Sequence, residues 1–167
     1  MISDDEKPAT ASNCELKLRQ ANIEDAKDLW EWRNDSETRA NSRTTAPVAW
    51  NEHLAWLTRR IADPSTELLI GECGGLPVGT VRFDQLDDGM REISITLAPL
   101  ARGKGLGATL LKVACRYVNQ FEAAAVLARV RETNLRSLAI FKKTGFVPVR
   151  HEGQFVILCL SVENMHE

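Results

Sequence analysis

The segment that decides the fold is residues 92–146, which read EISITLAPLARGKGLGATLLKVACRYVNQFEAAAVLARVRETNLRSLAIFKKTGF. Its first part alternates apolar and polar side chains, so that Ile93, Ile95 and Leu97 share one face. An alternation with a period of two residues is typical of a half-buried strand, and it predicts a strand over 91–99. A glycine-rich turn follows this strand directly.

The turn reads RGKGLG and opens an amphipathic helix that is predicted over 106–119. The first-turn amides of a helix lack intrahelical partners, and the helix dipole places partial positive charge at the same end. Because glycines allow the backbone to approach an anion closely, the turn is predicted to bind a phosphate group, helped by two basic side chains. The residues of this predicted loop are Arg102, Gly103, Lys104, Gly105, Leu106 and Gly107.

The loop does not match two common nucleotide-binding motifs. Its second glycine is not followed by Lys and then Ser or Thr, which excludes a Walker A loop. The spacing G-x-G-x-G differs from the dinucleotide fingerprint, and the segments at 66–73, 76–86 and 91–99 predict an antiparallel meander instead of a βαβ unit. The alternative to a phosphate loop is a plain tight turn.

The rest of the chain supplies the remaining elements. A strand is predicted over 14–22, and Asn22 with Asp25 matches a capping box at the start of the first helix. Residues 36–47 lack periodicity and predict a loop, and a second helix follows Pro47. The predicted apolar face of that helix consists of Trp50, Leu54, Leu57 and Ile61. The predicted order is strand, two helices, three strands, helix, strand, helix and two strands.

Length and composition are those of an ordinary globular domain. The chain has 167 residues, of which 44% are hydrophobic and 26% charged, and a formal net charge of −2, which fits one domain over 14–167. The charges are interspersed and no apolar run approaches about 20 residues, so neither nucleic acid nor a membrane is an expected partner. Residues 1–13 are predicted to be a flexible tail. They lack the features of a secretory signal, which favours a cytoplasmic location.

The cysteines are far apart in the sequence and do not have the spacing of metal ligands. We therefore expect four reduced thiols and no metal site. The four residues are Cys14, Cys73, Cys115 and Cys159.

Two motifs resemble those of the GNAT superfamily of N-acetyltransferases. The arrangement R-x-x-G-x-G at Arg102, Gly105 and Gly107, after a strand that ends in Leu-Ala-Pro, resembles motif A. One helix and one strand further on, a second pattern resembles motif B, and its residues are Asn134, Ser137, Phe141, Gly145 and Phe146. The resemblance implies an α/β (α+β) fold of the GNAT type, with a mixed, mostly antiparallel sheet and helices on both faces.

The resemblance also implies acetyl-CoA as co-substrate and direct attack of an amine in a ternary complex. The pyrophosphate is expected on the amides of 102–107, and the pantetheine arm beside residues 95–97, where two strands splay apart. A backbone N–H near Leu97 is expected to polarise the thioester carbonyl. Asn134 is expected to hydrogen-bond the pantetheine arm, and Phe141 to pack near the thioester.

Two candidates for the general base follow. Glu92 lies one residue beyond the position of the catalytic Glu in histone-acetylating members, so a β-bulge is needed to turn it to the same face. Its alternative role is pairing with a basic neighbour such as Arg129. His53 on the second helix has an ordinary pKa near neutrality, and its alternative role is packing. Many members carry Tyr as the acid at the position of Phe141, and Phe has no proton to give.

The first fifty residues indicate the acceptor. Trp32, Arg33 and Asn34, with a later His-x-x-Trp, resemble the nonulosonic-acid acetyltransferases, which modify a nucleotide-linked amino sugar. The pattern also resembles the ribosomal-protein N-terminal acetyltransferase branch. Trp32 is expected to stack on a base or sugar, and Arg33, Arg39 and Arg43 to meet a diphosphate; core packing and a solvated loop are the alternatives.

The expected partner is therefore a small-molecule amine. A protein N-terminus is the first alternative, and a CoA-binding module without transferase activity is the second. Homodimers are common in the superfamily, although no segment of this sequence indicates one.

Overall fold

The computed structural model describes residues 14–121 and 124–165, and the predicted tail over 1–13 lies outside the described residues. The strands are β1 Leu16–Gln20, β2 Thr66–Cys73, β3 Leu76–Gln85, β4 Arg91–Leu97, β5 Val126–Arg131, β6 Val147–Glu152 and β7 Phe155–Leu160. The helices are α1 Ala26–Asn34, α2 Ser36–Asn41, α3 Trp50–Ala62, α4 Leu106–Asn119 and α5 Leu135–Lys143. No helix in this part of the chain is long and apolar enough to cross a lipid bilayer.

The strands form one sheet in the order β1-β2-β3-β4-β5-β7-β6. Neighbouring strands are antiparallel except β4 and β5, which are parallel. Leu110 of α4 lies against Gly79 of β3, whereas the Arg82 guanidinium of the same strand lies 5.9 Å from the Trp56 ring of α3. Residues 79 and 82 point to opposite faces of a strand, so helices cover both faces of the sheet. The predicted mixed, mostly antiparallel α/β fold is confirmed.

Helix α4 packs against one face of the sheet and contributes buried side chains to the core. It occupies Leu106–Asn119, the range predicted from its periodicity. Leu110 and Leu111 are 0% exposed. Burial of a leucine side chain contributes about 2 kcal/mol, so the apolar face of α4 stabilises the position of the glycine turn that precedes it.

The prediction of a loop over 36–47 is wrong for its first half, which forms α2. Asp35 caps this helix by accepting a hydrogen bond from the Thr38 amide at 3.1 Å. None of the α2 residues is buried. A helix that buries nothing leaves no apolar period in the sequence, which is why periodicity could not find it.

The buried face of α3 is narrower than predicted. Of the four predicted residues, Leu57 is fully buried, but Trp50 is 39% and Ile61 is 43% exposed. His53 lies one turn before Leu57 and is 2% exposed. A histidine therefore occupies part of the core-facing side of α3.

The prediction of four reduced thiols is also wrong for two of them. Cys14 and Cys73 form a disulfide, whereas Cys115 and Cys159 are free. The cysteines of this pair are 59 residues apart in the sequence. They meet because β1 pairs with β2 in a register that places Leu16 beside Cys73. Spacing alone cannot show such a tertiary pairing.

An ionic network ties β1 to the start of the first helix. Asn22 and Asp25 form the predicted capping box. Asp25 also receives two hydrogen bonds from the Arg19 guanidinium, each at 2.8 Å, and Arg19 binds Glu72 of β2 at 2.7 Å. Burial by itself would raise the pKa of Asp25, but the bonds from Arg19 and from the Asn22 amide lower it.

Asp25→Asn is expected to lower the free energy of unfolding at neutral pH by about 2 kcal/mol, because it removes the buried partner of a partly buried, doubly hydrogen-bonded charge pair. A lowered folded-state pKa means that this stability is present above the ordinary aspartate pKa and is lost as the pH falls through the folded-state value. Urea denaturation at several pH values measures both effects. If the variant loses stability on acidification as steeply as the wild type, the acid sensitivity does not come from Asp25.

Candidate active site

Strands β4 and β5 pair over only part of their length. The parallel register begins at Arg91 and Val126 and ends at Ile93 and Ala128. β4 itself continues to Leu97, so its last residues have no ladder partner in β5. The two diverging strands frame a wedge-shaped opening, which we call the β4–β5 gap.

The hydrogen bonds on either side of β4 show which of its amides face this gap. The Ala98 amide donates to Val78 O at 2.9 Å, on the β3 side. The Arg91 amide donates at 3.1 Å to the residue before β5. Because the amides of a strand alternate between its two neighbours, those of Ile95 and Leu97 face the gap. This is where the sequence predicts the pantetheine arm and the thioester.

The glycine turn leaves open space in front of α4. Gly103 and Gly105 have left-handed backbones, with φ of 74° and 75°, and a Cβ at either position would meet no atom within 4 Å. Gly107 differs, because its Cβ would lie 2.9 Å from Ile140 Cδ1 of α5. The first two glycines therefore shape the turn, whereas the third allows α4 and α5 to approach each other.

The Arg102 side chain is bound to α2. Its guanidinium contacts Asp35 Oδ2 at 2.8 Å, Thr38 Oγ1 at 2.9 Å and Glu37 Oε2 at 3.4 Å. Burial by itself would raise the pKa of Asp35, but the hydrogen bonds from Arg102 and from the Thr38 amide lower it. The expectation that Arg102 adds free charge to a phosphate site is not met. Lys104, which is exposed, is the cation of the loop that can do so.

Helix α5 follows β5 and lies against α4 at Gly107. Asn134 caps it through Oδ1, which accepts from the Ser137 amide at 3.2 Å, so Nδ2 is the group that can donate to a ligand. Phe141 is 3% exposed, and its ring meets that of Phe146 edge to face with centroids 5.0 Å apart. The ring of Phe141 therefore belongs to the core beneath α5.

The family model of the acetyltransferase (GNAT) domain matches residues 15–147. This chain belongs to the GNAT acetyltransferase family. The match includes the glycine turn and the whole of the second motif, so the resemblance is confirmed for the family. The nonulosonic-acid and ribosomal-protein branches remain predictions.

Solved acetyltransferases share the fold of this GNAT domain. Spermidine N-acetyltransferase from Vibrio cholerae, solved with CoA and spermine, has a TM-score of 0.82 at 17% identity, over 91% of this chain and 98% of that chain. Aminoglycoside acetyltransferase AAC(6')-Ib, solved with coenzyme A, has a TM-score of 0.78 at 20% identity, over 91% of this chain and 98% of that chain. Identities this low show the fold alone.

A curated relative matches at higher sequence identity than these structures, but over a shorter part of the chain. An uncharacterized protein of Methanocaldococcus jannaschii is 28% identical over 102 residues, which is 60% of this chain. The matched region is 21% of that protein's length, so the relative is much longer than the GNAT domain.

Glu92 of the GNAT domain is paired with two arginines. Its Oε1 lies 2.8 Å from Arg43 Nη2 and 3.7 Å from Arg129 Nε. Arg129 also contacts the Glu152 carboxylate. A carboxylate held by two guanidinium groups is not free to contact a substrate amine. The structure therefore gives Glu92 the pairing role that was its alternative, and it does not support a general base at this position.

His53 lies inside the contact between α1 and α3. Its Nε2 is 2.8 Å from Ala26 O, and because a carbonyl only accepts, that nitrogen carries the proton. The ring lies between those of Trp50 and Trp56, with centroid distances of 6.0 and 5.8 Å. Burial lowers the pKa of His53, and the bond to Ala26 only partly opposes this. With 2% of the side chain exposed, the structure favours the packing role that was the alternative for His53 and does not support a general base there.

Two of the three residues predicted to bind the acceptor hold the protein together instead. Trp32 is 7% exposed and belongs to the core, and the Asn34 carboxamide exchanges hydrogen bonds of 2.9 and 2.7 Å with Val48. Arg33 Nη2 donates to Thr44 O at 2.8 Å. Its Nη1 is buried and has no hydrogen-bond partner among the described residues. Substrate contact is therefore not supported for Trp32 and Asn34. Arg33 Nη1 remains a hydrogen-bond donor without an acceptor among the described residues.

Two residues with strong contacts around the gap were missed by the motifs. Asp35 binds Arg102, and Arg131 donates to Ser42 O from Nε at 3.1 Å and from Nη2 at 2.8 Å. An Asp followed by Ser and Glu is a helix-start signal, and this signal could have found Asp35. Nothing in the sequence around Arg131 indicates its partner.

His53→Ala is expected to lower the free energy of unfolding by about 2 kcal/mol, because it removes a buried hydrogen bond and the packing between two indole rings. His151→Ala, at an exposed histidine of β6, is the control and is expected to change it by less than about 0.5 kcal/mol. Chemical denaturation measures both. Wild-type stability of His53→Ala, together with a changed pH profile of turnover, would reinstate His53 as the base.

Proposed function

We propose that this GNAT domain transfers the acetyl group of acetyl-CoA to a primary amine by direct attack in a ternary complex. The observation that carries the proposal is the β4–β5 gap, which presents two backbone donors at the centre of the sheet. The glycine turn follows β4 after a single 3-10 turn over Pro99–Ala101. A long molecule with a diphosphate at one point and a thioester at its end can therefore contact the turn and the strand together.

Each part of acetyl-CoA has a counterpart in these elements. The diphosphate binds the first-turn amides of α4 with Lys104 beside it. The pantetheine arm extends along β4 as an added strand and pairs with Ile95. The Leu97 amide donates to the thioester carbonyl, whose oxygen gains negative charge as the amine attacks. The nitrogen–carbon bond forms, the carbon–sulfur bond breaks, and CoA leaves as a thiolate.

Proton transfer relies on solvent in this mechanism. Glu92 and His53 are engaged elsewhere, and Phe141 has no proton to give. Ser94 lies within the central strand β4 and is nevertheless exposed, so water reaches β4 beside the gap. The ammonium loses one proton to water before the amine attacks, and the nitrogen loses a second proton to water as the carbon–sulfur bond breaks. The thiolate leaves unprotonated, which the ordinary thiol pKa of about 8.5 permits.

Two arginine side chains near the gap have no carboxylate partner among the described residues, which supports an acceptor that carries phosphate. Burial lowers the pKa of Arg33, and the nearby charge of Arg39 lowers it further. Both side chains bind backbone carbonyls, at Thr44 for Arg33 and at Asn34 and Thr45 for Arg39. Neither forms an ion pair with a carboxylate of the described chain. Two adjacent guanidinium groups without a counter-charge attract phosphate, which favours a nucleotide-linked amino sugar as the acceptor.

A CoA-binding module without turnover is the second candidate function. The absence of a usable base at Glu92 and His53, and of an acid at Phe141, favours it. A protein N-terminus is less well supported, because such an acceptor needs an open groove. Here Arg102 and Arg131 fasten α2 across the mouth of the gap.

Gly105→Glu is expected to weaken acetyl-CoA binding at least about 100-fold, because the new carboxylate takes the place of the diphosphate at a backbone φ that side chains rarely adopt. Gly89→Glu is the matched control. Gly89 also has a left-handed backbone, with φ of 82°, and open space around it, but it lies in the hairpin between β3 and β4. Titration calorimetry with acetyl-CoA measures both variants. Wild-type affinity in Gly105→Glu would overturn the coenzyme site.

The acceptor is tested by thiol release from acetyl-CoA with three amines, namely a nucleotide-linked 4-amino sugar, spermidine and a peptide with a free N-terminus. The amino sugar is expected to turn over fastest, and Arg39→Gln to lower its kcat/KM about tenfold by removing a phosphate contact. Arg59→Gln, at an exposed position of α3, is the control. Fastest turnover of spermidine would reject the phosphate-bearing acceptor, and coenzyme binding without any turnover would favour the module.

A further inference from the structure

Helix α2 bridges the β4–β5 gap and is fastened on both sides of it. On the β4 side, Arg102 binds Asp35 at 2.8 Å and Thr38 at 2.9 Å. On the β5 side, Arg131 is the last residue of the strand and donates twice to Ser42 O, at 3.1 and 2.8 Å. Because β4 and β5 diverge between these two points, α2 spans the mouth of the gap.

The attachment on the β4 side is a partly buried ion pair. The side chains of Arg102 and Asp35 are 19% and 22% exposed, whereas those of Arg136 and Glu37, a second pair at α2, are 66% and 52% exposed and 3.4 Å apart. Short, charge-assisted hydrogen bonds of low exposure are stronger than exposed ion pairs. The contact between Arg102 and Asp35 is therefore the principal link between α2 and the turn after β4.

Helix α2 buries no side chain that could hold it in place if this link is broken. None of the α2 residues is buried, so polar contacts at the ends of the helix determine its position. Arg102 is also the first residue of the glycine turn. A ligand that orders the backbone of 102–107 therefore fixes the Arg102 backbone. Because the Arg102 side chain binds the first turn of α2, the ligand also restricts the position of that turn.

We propose that Asp35 and Arg102 are a positioning pair through which the occupied glycine turn fixes α2 as a wall of the acceptor site. The inference rests on the proposed function, because it takes acetyl-CoA as the ligand of the turn. The acceptor then meets a wall that is held more firmly once the coenzyme has bound. Binding of the two substrates is coupled principally through this ion pair, and the coupling is reciprocal.

Asp35→Asn isolates the ion pair from the helix cap. Asn is as good an N-cap as Asp, so the hydrogen bond from the Thr38 amide is kept while the Asp35 charge that faces Arg102 is lost. The more exposed Glu37 carboxylate, 3.4 Å from Arg102, is unchanged. Glu31→Gln is the control, since it removes the same charge from an exposed position of α1. Hydrogen–deuterium exchange of the peptide spanning 36–42 is measured in the full chain, with and without acetyl-CoA. Calorimetry gives the acetyl-CoA affinity of each variant.

The wild type and Glu31→Gln are expected to show exchange at 36–42 that acetyl-CoA slows further. In Asp35→Asn, exchange without ligand is expected to be about tenfold faster and no longer slowed by acetyl-CoA, while the affinity for acetyl-CoA stays within about twofold. Protection by acetyl-CoA that survives in Asp35→Asn would overturn the inference, as would its absence from a wild type that binds acetyl-CoA. Failure of the wild type to bind acetyl-CoA would instead refute the proposed function.

Discussion

The incomplete parallel pairing of β4 with β5 is the constraint on which the rest of the structure depends. A ladder of full length would use the Ile95 and Leu97 amides within the sheet. Because the register ends at Ile93, these donors remain at the centre of the sheet, where an extended ligand can accept from them. The same divergence creates the mouth that α2 bridges. The incomplete β4–β5 ladder therefore provides both the space for an extended ligand and the opening that α2 spans.

The sequence predicts those parts of the fold in which the pattern records burial or backbone geometry. Helix α4 has its predicted bounds because its apolar period comes from the contact with the sheet. The turn at Gly103 and Gly105 could be predicted because left-handed backbone favours glycine whatever surrounds it. Helix α2 could not be predicted, because it buries nothing and its cap, Asp35, gives only a weak local signal.

Side-chain roles in the candidate site were harder to predict, because one residue type serves either chemistry or packing and the tertiary partner decides between them. His53 has the residue type of a base, but Ala26 O and two indole rings surround it. Glu92 lies on the strand where a base was expected, and two arginines that are distant in the sequence hold it. In both cases the decisive contact joins residues more than 25 positions apart, which no local pattern records.

The arginines around the gap divide into two groups with different consequences. Those bound to carboxylates, such as Arg102 and Arg129, hold elements together, and their charge is already neutralised. Arg33 and Arg39 bind only neutral carbonyls, so their charge remains available to a ligand. The coenzyme site, in contrast, uses backbone amides that any sequence with the same turn would present. This difference explains why two short motifs are enough to identify the family, whereas the acceptor depends on a few side chains of the first two helices, whose contacts appear only in the folded chain.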